Sequence, residues 1–158
     1  MSDNTIKEFK HEYFFLSNMF PCSVVYNGLK YLCAESAFQA AKFDNLFHAS
    51  TTKMRFANID GYAARVLGKN LKLSASEISK WNERRNTVME EILRIKFAKG
   101  TELANRLIDT ADVHIIENNC WHDQYWGNCV CPRHEATPGK NKLGELLMKI
   151  RQDLLSNQ

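Results

Sequence analysis

The sequence contains few residues that interrupt regular structure, with 3 prolines and 7 glycines among its 158 residues. No stretch rich in serine, glycine and proline divides the chain, which excludes a flexible linker or a low-complexity segment. We therefore predict a single domain over residues 1–158. A domain of this size buries about two-thirds of its unfolded surface, so it needs no disulfide or metal to hold a core together.

Long apolar runs and a strong excess of one charge are also lacking. No segment approaches the roughly 20 apolar residues of a membrane span, and the first ten residues lack the apolar part of a secretory signal. We therefore expect no membrane partner and a cytoplasmic location, where the five cysteines stay reduced. The net charge of +3 is too small to predict a surface for polyanions, but it suits a pocket that receives phosphate.

The pattern of apolar residues predicts a mainly α fold (α+β), a helical bundle with a small N-terminal β-hairpin or sheet. Asn27-Gly28 predicts a hairpin turn between two strands at about 23–26 and 29–32. Both central residues of a type I′ turn need positive φ, which Asn and Gly adopt readily. Further expected strands are 13–16 and Ile115-Ile116, the latter being a strand or a turn. Helices are expected at about 34–44, 51–57, 61–67, 75–98, 101–109 and 141–155. Three helix starts are expected, with N-caps at Asp60 and Thr101 and a capping box of Ser74 and Glu77. The helix that begins after Asp60 is expected to end at Gly68.

The first predicted helix presents three polar side chains of different chemistry on one face. Glu35, Gln39 and Lys42 are spaced i, i+4 and i+7. Such a stripe is either an ordinary solvated face or a set of groups that faces an interior cleft. Small and apolar neighbours on nearly every side favour the cleft, where a carboxyl group loses contact with water and is suited to general acid–base chemistry.

The long predicted helix has a cation where its apolar stripe requires an apolar residue. Arg85 lies between Trp81 and Val88 at helical spacing. Its guanidinium either extends from the edge of the stripe into water or binds an anion, such as a carboxylate of the protein or a phosphate of a ligand. In the second case Trp81 offers an aromatic wall beside that charge.

The irregular segment 120–134 combines metal-binding and aromatic residues. Its imidazole and thiol groups are sufficient for a zinc site, but the spacings Cys-x-His and Cys-x-Cys-x₂-His match no common zinc motif, so we predict no metal. Tyr125-Trp126-Gly127 beside Asp123 is either a wall for a planar base or a loop anchored by aromatic packing. The glycine is expected to leave room beside the Trp126 ring. The candidate zinc ligands are Cys120, His122, Cys129, Cys131 and His134.

Gly139-Lys140-Asn141 precedes the last predicted helix. Backbone N–H groups and Lys140 at a helix start are able to bind a phosphate. Simple capping of the helix by the Asn141 side chain is the other interpretation.

Taken together, these motifs resemble the NADAR (NAD- and ADP-ribose-associated) domain family, which includes bacterial riboflavin-intermediate N-glycosidases. The similarity extends over about residues 8–155. It rests on Glu-x-x-x-Gln-x-x-Lys-Phe from Glu35, Tyr-Trp-Gly from Tyr125 and Gly-Lys-Asn-x-Leu-Gly from Gly139. Residues 15–18, the hairpin, Trp81 with Arg85 and Met89, and Lys96-Phe97 match in the same order. The resemblance implies a mainly helical fold and hydrolysis of an N-glycosidic bond between a ribose and a base.

The resemblance also implies roles for individual residues. Glu35 is expected to be the general acid or base, Lys42 an amine near the ribose C1 that is also able to form a Schiff base, and Asp123 a carboxylate that stabilises an oxocarbenium-like state. No cofactor is expected. The residues expected to bind substrate are Ser17, Asn18, Gln39, Trp81, Arg85, Tyr125, Trp126, Gly127, Lys140 and Asn141.

The expected partner is a phosphorylated ribosyl compound. It is either a riboflavin-pathway ribosylamino-pyrimidine phosphate or ADP-ribosylated guanine, free or in DNA. The family's usually glycine-rich loop is replaced by residues 128–138, which contain no glycine, and this leaves the substrate open. Two other hypotheses are a module that binds ADP-ribose without cleaving it and a zinc-dependent nucleic-acid protein. The oligomeric state is not predicted.

Overall fold

The computed structural model describes residues 4–157 and is mainly helical, which confirms the predicted fold class. The helices are α1 (Ala34–Ala41), α2 (Ala49–Met54), α3 (Gly61–Asn70), α4 (Ala75–Lys96), α5 (Glu102–Asp109) and α6 (Lys142–Ser156), with a 3₁₀ helix at His11–Leu16. The strands are β1 (Thr5–Ile6), β2 (Val24–Tyr26), β3 (Leu29–Tyr31), β4 (His114–Ile115), β5 (Asn118–Asn119) and β6 (Asn128–Cys129). Within residues 4–157, no helix combines the length and the apolar composition that a membrane span requires.

These elements belong to two compact units. The central unit is Asn18–Lys96, and the terminal unit consists of residues 4–17 and 97–157. The single domain that the sequence predicts stays a prediction.

The central unit contains the hairpin and α1 to α4. β2 and β3 pair antiparallel, and Asn27 and Gly28 both adopt positive φ in the turn, as predicted. α1 packs against α3, α4 and both strands, and every one of its residues is buried. Phe43 stacks on Phe56 at 5.7 Å between ring centroids, and both rings are fully enclosed. Each such side chain contributes about 1.5–3 kcal/mol when it leaves water.

The terminal unit is built around α5 and α6, which pack against each other. β1 pairs with β4 and β5 with β6, both in parallel, although each strand has only two residues. Arg151 is buried in this unit and donates hydrogen bonds to Thr110 Oγ1 at 2.8 Å and to the Val113 carbonyl at 2.9 Å. The guanidinium therefore supplies partners for polar groups that the turn after α5 buries.

Three predicted helix starts are confirmed by their side-chain hydrogen bonds. Asp60 accepts from the Ala63 N–H and Thr101 from the Ala104 N–H. Ser74 and Glu77 form the reciprocal capping box.

Two local predictions are wrong. Residues 13–16 belong to a 3₁₀ helix rather than a strand. Phe15 and Leu16 are consecutive and both are buried, whereas a strand directs successive side chains to opposite faces. Gly68 does not end a helix, because α3 continues to Asn70.

Candidate active site

The polar stripe of α1 is buried, so its interpretation as a solvated face is wrong. Glu35 is 5% exposed and Gln39 is 6% exposed. The helix begins at Ala34 because Cys33 is extended and the Glu35 N–H donates to the Asn18 carbonyl at 2.9 Å. Burial of a carboxylate and an amide on one helix face is costly unless the two groups have partners.

The Glu35 carboxylate has two such partners in the central unit. Gln39 Nε2 donates to Glu35 Oε1 at 2.7 Å, one helical turn away. The Nε atom of Arg65 lies 3.6 Å from the same oxygen, and the Arg65 side chain is half exposed. An amide N–H and a guanidinium therefore hold the carboxylate in one orientation.

Lys42 follows the last residue of α1 and is half-buried, and its amine interacts electrostatically with Glu35. Burial lowers the pKa of the Lys42 amine below its ordinary value of 10.5, Glu35 counteracts this effect in part, and Arg65 reinforces it. A lowered pKa leaves more of the amine unprotonated near neutral pH, which is the form that attacks carbon.

The central unit contains two buried amide oxygens that no described residue satisfies. Within residues 4–157, neither Asn18 Oδ1 nor Gln39 Oε1 has a hydrogen-bond partner. The orientation of the Gln39 amide follows from its N–H contact with Glu35, so its oxygen is the atom left over. A buried acceptor without a partner costs about 1–3 kcal/mol, which a hydroxyl or N–H of a substrate recovers.

Two glycines of α3 allow this helix to approach α1, a packing role that the sequence had not indicated for either of them. A Cβ at Gly68 would collide with Gln39 Oε1, and a Cβ at Gly61 would lie 3.1 Å from the Glu35 Cβ. The two glycines are seven residues apart and therefore lie on one helix face. Glycine pairs at this spacing in a predicted helix are the signal that would have indicated close packing.

The aromatic wall predicted at Trp81 and the anion-binding role predicted for Arg85 on α4 stay predictions. Trp81 is 7% exposed and packs on Phe38 at 5.0 Å between centroids. Arg84 lies over the Trp81 ring at 4.8 Å, and its guanidinium also approaches Asp44. Arg85 is half-buried. Trp81 is thus part of the core of the central unit.

A buried lysine at the end of α4 is a further group that the periodicity did not reveal. Lys96 is 3% exposed, with its amine 5.7 Å from the centre of the Phe20 ring. Burial lowers the pKa of Lys96 to about 8, although the neighbouring Cys22 and Cys33 act in the opposite direction.

The central unit also contains a cavity of about 540 Å³ whose lining includes Tyr26, Asp44, Lys53, Arg84 and Glu91. Its charges compensate each other. Asp44 pairs with Lys53 at 2.8 Å, and Tyr26 donates to Glu91 at 2.6 Å. Since its lining includes none of the polar residues of α1, we do not assign the chemistry to this cavity.

In the terminal unit, Asp123 organises its own loop. Its Oδ1 accepts from the Tyr125 N–H at 3.0 Å and from the Trp126 N–H at 2.9 Å. Asn119 bonds to both the N–H and the carbonyl of Asp123. This arrangement is an Asx turn, in which a side-chain oxygen replaces a backbone acceptor.

The space that a side chain at Gly127 would occupy is filled by other residues, so the glycine leaves no opening on that side. The room predicted beside the Trp126 ring stays a prediction. A Cβ on this buried glycine would collide with the Glu117 carbonyl oxygen, and it would lie 2.8 Å from Asn119 Nδ2. Trp126 is half-buried and meets Tyr125 edge to face at 5.1 Å. Lys140 is exposed, with its amine 5.3 Å from the centre of the Tyr125 ring. Ser17 is half-buried in this unit.

The start of α6 does not offer its backbone to a phosphate. The N–H groups of residues 140–143 donate to the carbonyls of Gln124, Gly127, Tyr125 and Trp126, and the Gly139 N–H donates to Asn128 Oδ1. The Asn141 side chain does not cap the helix either. It accepts from the Glu117 N–H and donates to the Ile115 carbonyl. The prediction that backbone N–H groups of this motif bind a phosphate is therefore wrong, and so is the prediction that Asn141 caps the helix. Of the predicted phosphate-binding groups, the Lys140 side chain remains.

Four of the five candidate metal ligands come together in the same loop. The donor atoms of His122, Cys129, Cys131 and His134 all lie within 4.8 Å of one another. The fifth candidate, Cys120, is exposed and lies outside this group.

Comparison with known proteins agrees with this architecture. Residues 6–155 match the model of the family described as the NADAR domain. The chain is 30% identical over 140 residues to riboflavin biosynthesis protein VVA0006 of Vibrio vulnificus (strain YJ016), a match that covers 89% of this chain and 35% of that protein. The chain therefore spans about a third of the length of that relative.

The chain is also similar to N-glycosidase YbiA of Escherichia coli (strain K12). The two are 29% identical over 139 residues, which cover 87% of this chain and 79% of the relative. The solved NMR structure of the E. coli protein YbiA superposes with a TM-score of 0.76 at 27% identity, covering 99% of this chain and 89% of that one.

Proposed function

The chain belongs to the NADAR domain family, and on that premise we propose that it is an N-glycosidase that cleaves the bond between C1 of a ribose and a nitrogen of a base. Relatives named N-glycosidases support this class of reaction. The observation that carries the proposal is the buried Glu35 carboxylate, which Gln39 orients one turn later and which Lys42 follows after two turns.

In the direct route, Glu35 acts as general base. A water molecule attacks C1 while the C1–N bond breaks, and Glu35 accepts a proton from that water. The same proton then passes to the departing nitrogen, directly or through solvent, which regenerates the Glu35 carboxylate. The unpartnered oxygens of Asn18 and Gln39 accept hydrogen bonds from ribose hydroxyls. These hydrogen bonds would hold C1 in line with the attacking water, which lowers the activation free energy of the reaction.

A covalent route uses Lys42. Its amine attacks C1, the base leaves with a proton, and opening of the ribose ring gives an imine that water hydrolyses to the free sugar and the free amine. The lowered pKa of Lys42 supports this route, because the attacking amine must be unprotonated.

The assignment of Asp123 as the carboxylate that stabilises an oxocarbenium-like state is a separate proposal. Both bonds to the loop backbone use Oδ1, so the second oxygen is not engaged in them. Variants of Asp123 are therefore needed to test this role separately from that of Glu35.

For the substrate, we propose a ribose that carries phosphate at C5 and a base nitrogen at C1. A ribosylamino-pyrimidine phosphate of the riboflavin pathway and ADP-ribosylated guanine both have this chemistry. The name of the Vibrio vulnificus relative supports the first. Release of free base from three compounds separates the choices: the pyrimidine intermediate, ADP-ribosylated guanosine and ADP-ribosylated guanine in DNA.

The catalytic proposal is tested with Glu35→Gln, which keeps an oxygen for the Gln39 N–H but cannot accept a proton. We expect kcat to fall by roughly 100-fold to 10,000-fold with an unchanged melting temperature. Glu83→Gln, at an exposed carboxylate of α4, is the matched control and should retain full turnover. Stable binding of all three compounds by the wild type without base release would instead indicate a binding module.

The covalent route is tested by adding a mild hydride reagent during turnover. Reduction of an imine leaves the sugar attached to Lys42, and peptide mass spectrometry locates it. Lys42→Met should abolish trapping, whereas Lys69→Met, at an exposed lysine of α3, should not. If base is released but no adduct forms, the direct route operates.

A further inference from the structure

We propose that His122, Cys129, Cys131 and His134 form a four-coordinate zinc site that holds together the loop between β5 and α6. The site lies in the terminal unit and is independent of the glycosidase proposal.

The four donor atoms all lie within 4.8 Å of one another, and four of their six separations are close to those around one tetrahedral ion. Cys131 Sγ lies 3.4 Å from His122 Nδ1, 3.3 Å from His134 Nδ1 and 3.2 Å from Cys129 Sγ. The two imidazole Nδ1 atoms are 3.3 Å apart. Zinc bonds of about 2.3 Å to sulfur and about 2.0–2.1 Å to nitrogen place tetrahedral donors roughly 3.3–3.8 Å from one another.

The chemistry of the four donors selects the ion. Two thiolates neutralise the charge of Zn²⁺, and two imidazoles complete a tetrahedral S₂N₂ set. Hard ions such as Mg²⁺ and Ca²⁺ require oxygen ligands instead. All four positions are filled by side chains, so the site has no place for a reacting water and is structural rather than catalytic.

The backbone of the loop holds the ligands in place through its own hydrogen bonds. The His134 N–H donates to the Cys131 carbonyl at 2.9 Å, which forms a turn with Pro132 at its second position, where proline is favoured. Cys129 lies on β6, and its N–H donates to Gln124 Oε1 at 2.7 Å. Two ligands therefore belong to a tight turn and one to a paired strand.

The proposed ion would close a ring that contains Tyr125, Trp126 and Gly127. The carbonyls of these three residues accept the N–H groups at the start of α6. Zinc at His122 and Cys129 fixes both ends of that segment, so it also fixes the first turn of α6. We expect loss of the ion to loosen this helix start before other parts of the unit.

The decisive measurement is the metal content of the untagged full chain, purified under reducing conditions and dialysed. We expect about one zinc per chain by elemental analysis. Cys131→Ser and His134→Ala should each lose at least about nine-tenths of it. Cys120→Ser is the matched control, because it removes a thiol of the same loop outside the cluster, and it should keep the full amount.

Cobalt provides a second readout if a variant folds poorly. Addition of Co²⁺ to the metal-free chain should produce the visible absorption of a tetrahedral thiolate complex, and equimolar Zn²⁺ should abolish it. A strong chelator should lower the melting temperature of the wild type but not that of Cys131→Ser.

Three results would overturn the proposal. One is a wild-type chain that has reduced thiols but binds neither zinc nor cobalt. Another is equal loss of zinc from Cys120→Ser and Cys131→Ser. The third is a Cys129–Cys131 disulfide in the freshly purified chain, seen as a peptide that lacks two hydrogen atoms, since the same pair of sulfurs would then be unable to bind a metal.

Discussion

Helix α1 in the central unit and the loop of residues 117–143 in the terminal unit both contain conspicuous polar residues, but they use them differently. On α1, the Gln39 amide donates a hydrogen bond to the Glu35 carboxylate, and the Gln39 amide oxygen has no partner among the described residues. In the loop, Asp123, Asn128 and Asn141 bond to the backbone of the loop and its neighbours.

The difference has a physical cause in the backbone. A helix satisfies its own N–H and C=O groups, so its side chains remain available for a ligand. An irregular segment has no such internal ladder, and its buried backbone groups must find side-chain partners. Polar residues on a buried helix are therefore stronger evidence of a site than polar residues in a loop of the same composition.

The largest effect on stability should come from Gly127→Ala, in the loop. The added methyl meets the carbonyl oxygen of Glu117, which is backbone and cannot move alone. We expect the free energy of unfolding to fall by about 3 kcal/mol in denaturant titration. Unchanged stability with a raised KM would mean that the glycine faces substrate. The contrast between a ligand-binding helix and a self-bonded loop would then be wrong.

A second prediction concerns the pH dependence contributed by Lys96 in the central unit. Its pKa is about 8 in the folded chain and 10.5 ordinarily, so the unfolded chain binds more protons between these values and stability rises with pH. We expect a rise of about 2 kcal/mol between pH 8 and 10.

The difference between wild type and Lys96→Met isolates this contribution from those of the other titrating groups. Lys80→Met, at an exposed lysine of α4, is the control. Denaturant titrations at several pH values should show the rise in wild type and Lys80→Met and its loss in Lys96→Met. The opposite slope in the difference would contradict the burial of a charged amine.

Replacement of Asp123 distinguishes folding of the loop from chemistry. Asp123→Ala removes the acceptor of two backbone N–H groups and should cost about 1 kcal/mol of stability. Asp123→Asn keeps an oxygen at that place and should be as stable as wild type. If the Asn variant also retains kcat, the carboxylate acts only on its own loop, and the proposed stabilisation of an oxocarbenium state is wrong.

The smallest stability effect is expected for Gly68→Ala, the counterpart of Gly127→Ala on the helical side. Here the added methyl meets the end of the Gln39 side chain rather than backbone. Alanine favours a helix over glycine by about 1 kcal/mol, which offsets the displacement. Stability should change by less than about 1 kcal/mol while kcat/KM falls roughly tenfold to a hundredfold, because Gln39 no longer orients Glu35.

The sequence by itself determined the features that depend on neighbouring residues. The Asn27-Gly28 hairpin, the caps at Asp60 and Thr101, and the common face of Glu35 and Gln39 follow from turn geometry and helical spacing. Family membership was recognisable for the same reason, since its motifs are short and local.

Only the tertiary structure decided how distant segments share space and hydrogen bonds. In the folded chain, Glu117 occupies the space beside Gly127, and loop carbonyls accept the N–H groups of residues 140–143. Residues 13–16 form part of a 3₁₀ helix. The tertiary structure also brought His122 to Cys129 and Cys131, a cluster whose spacing matches no common motif. These outcomes depend on which surfaces exclude water together, and that is a property of the folded chain rather than of any local spacing.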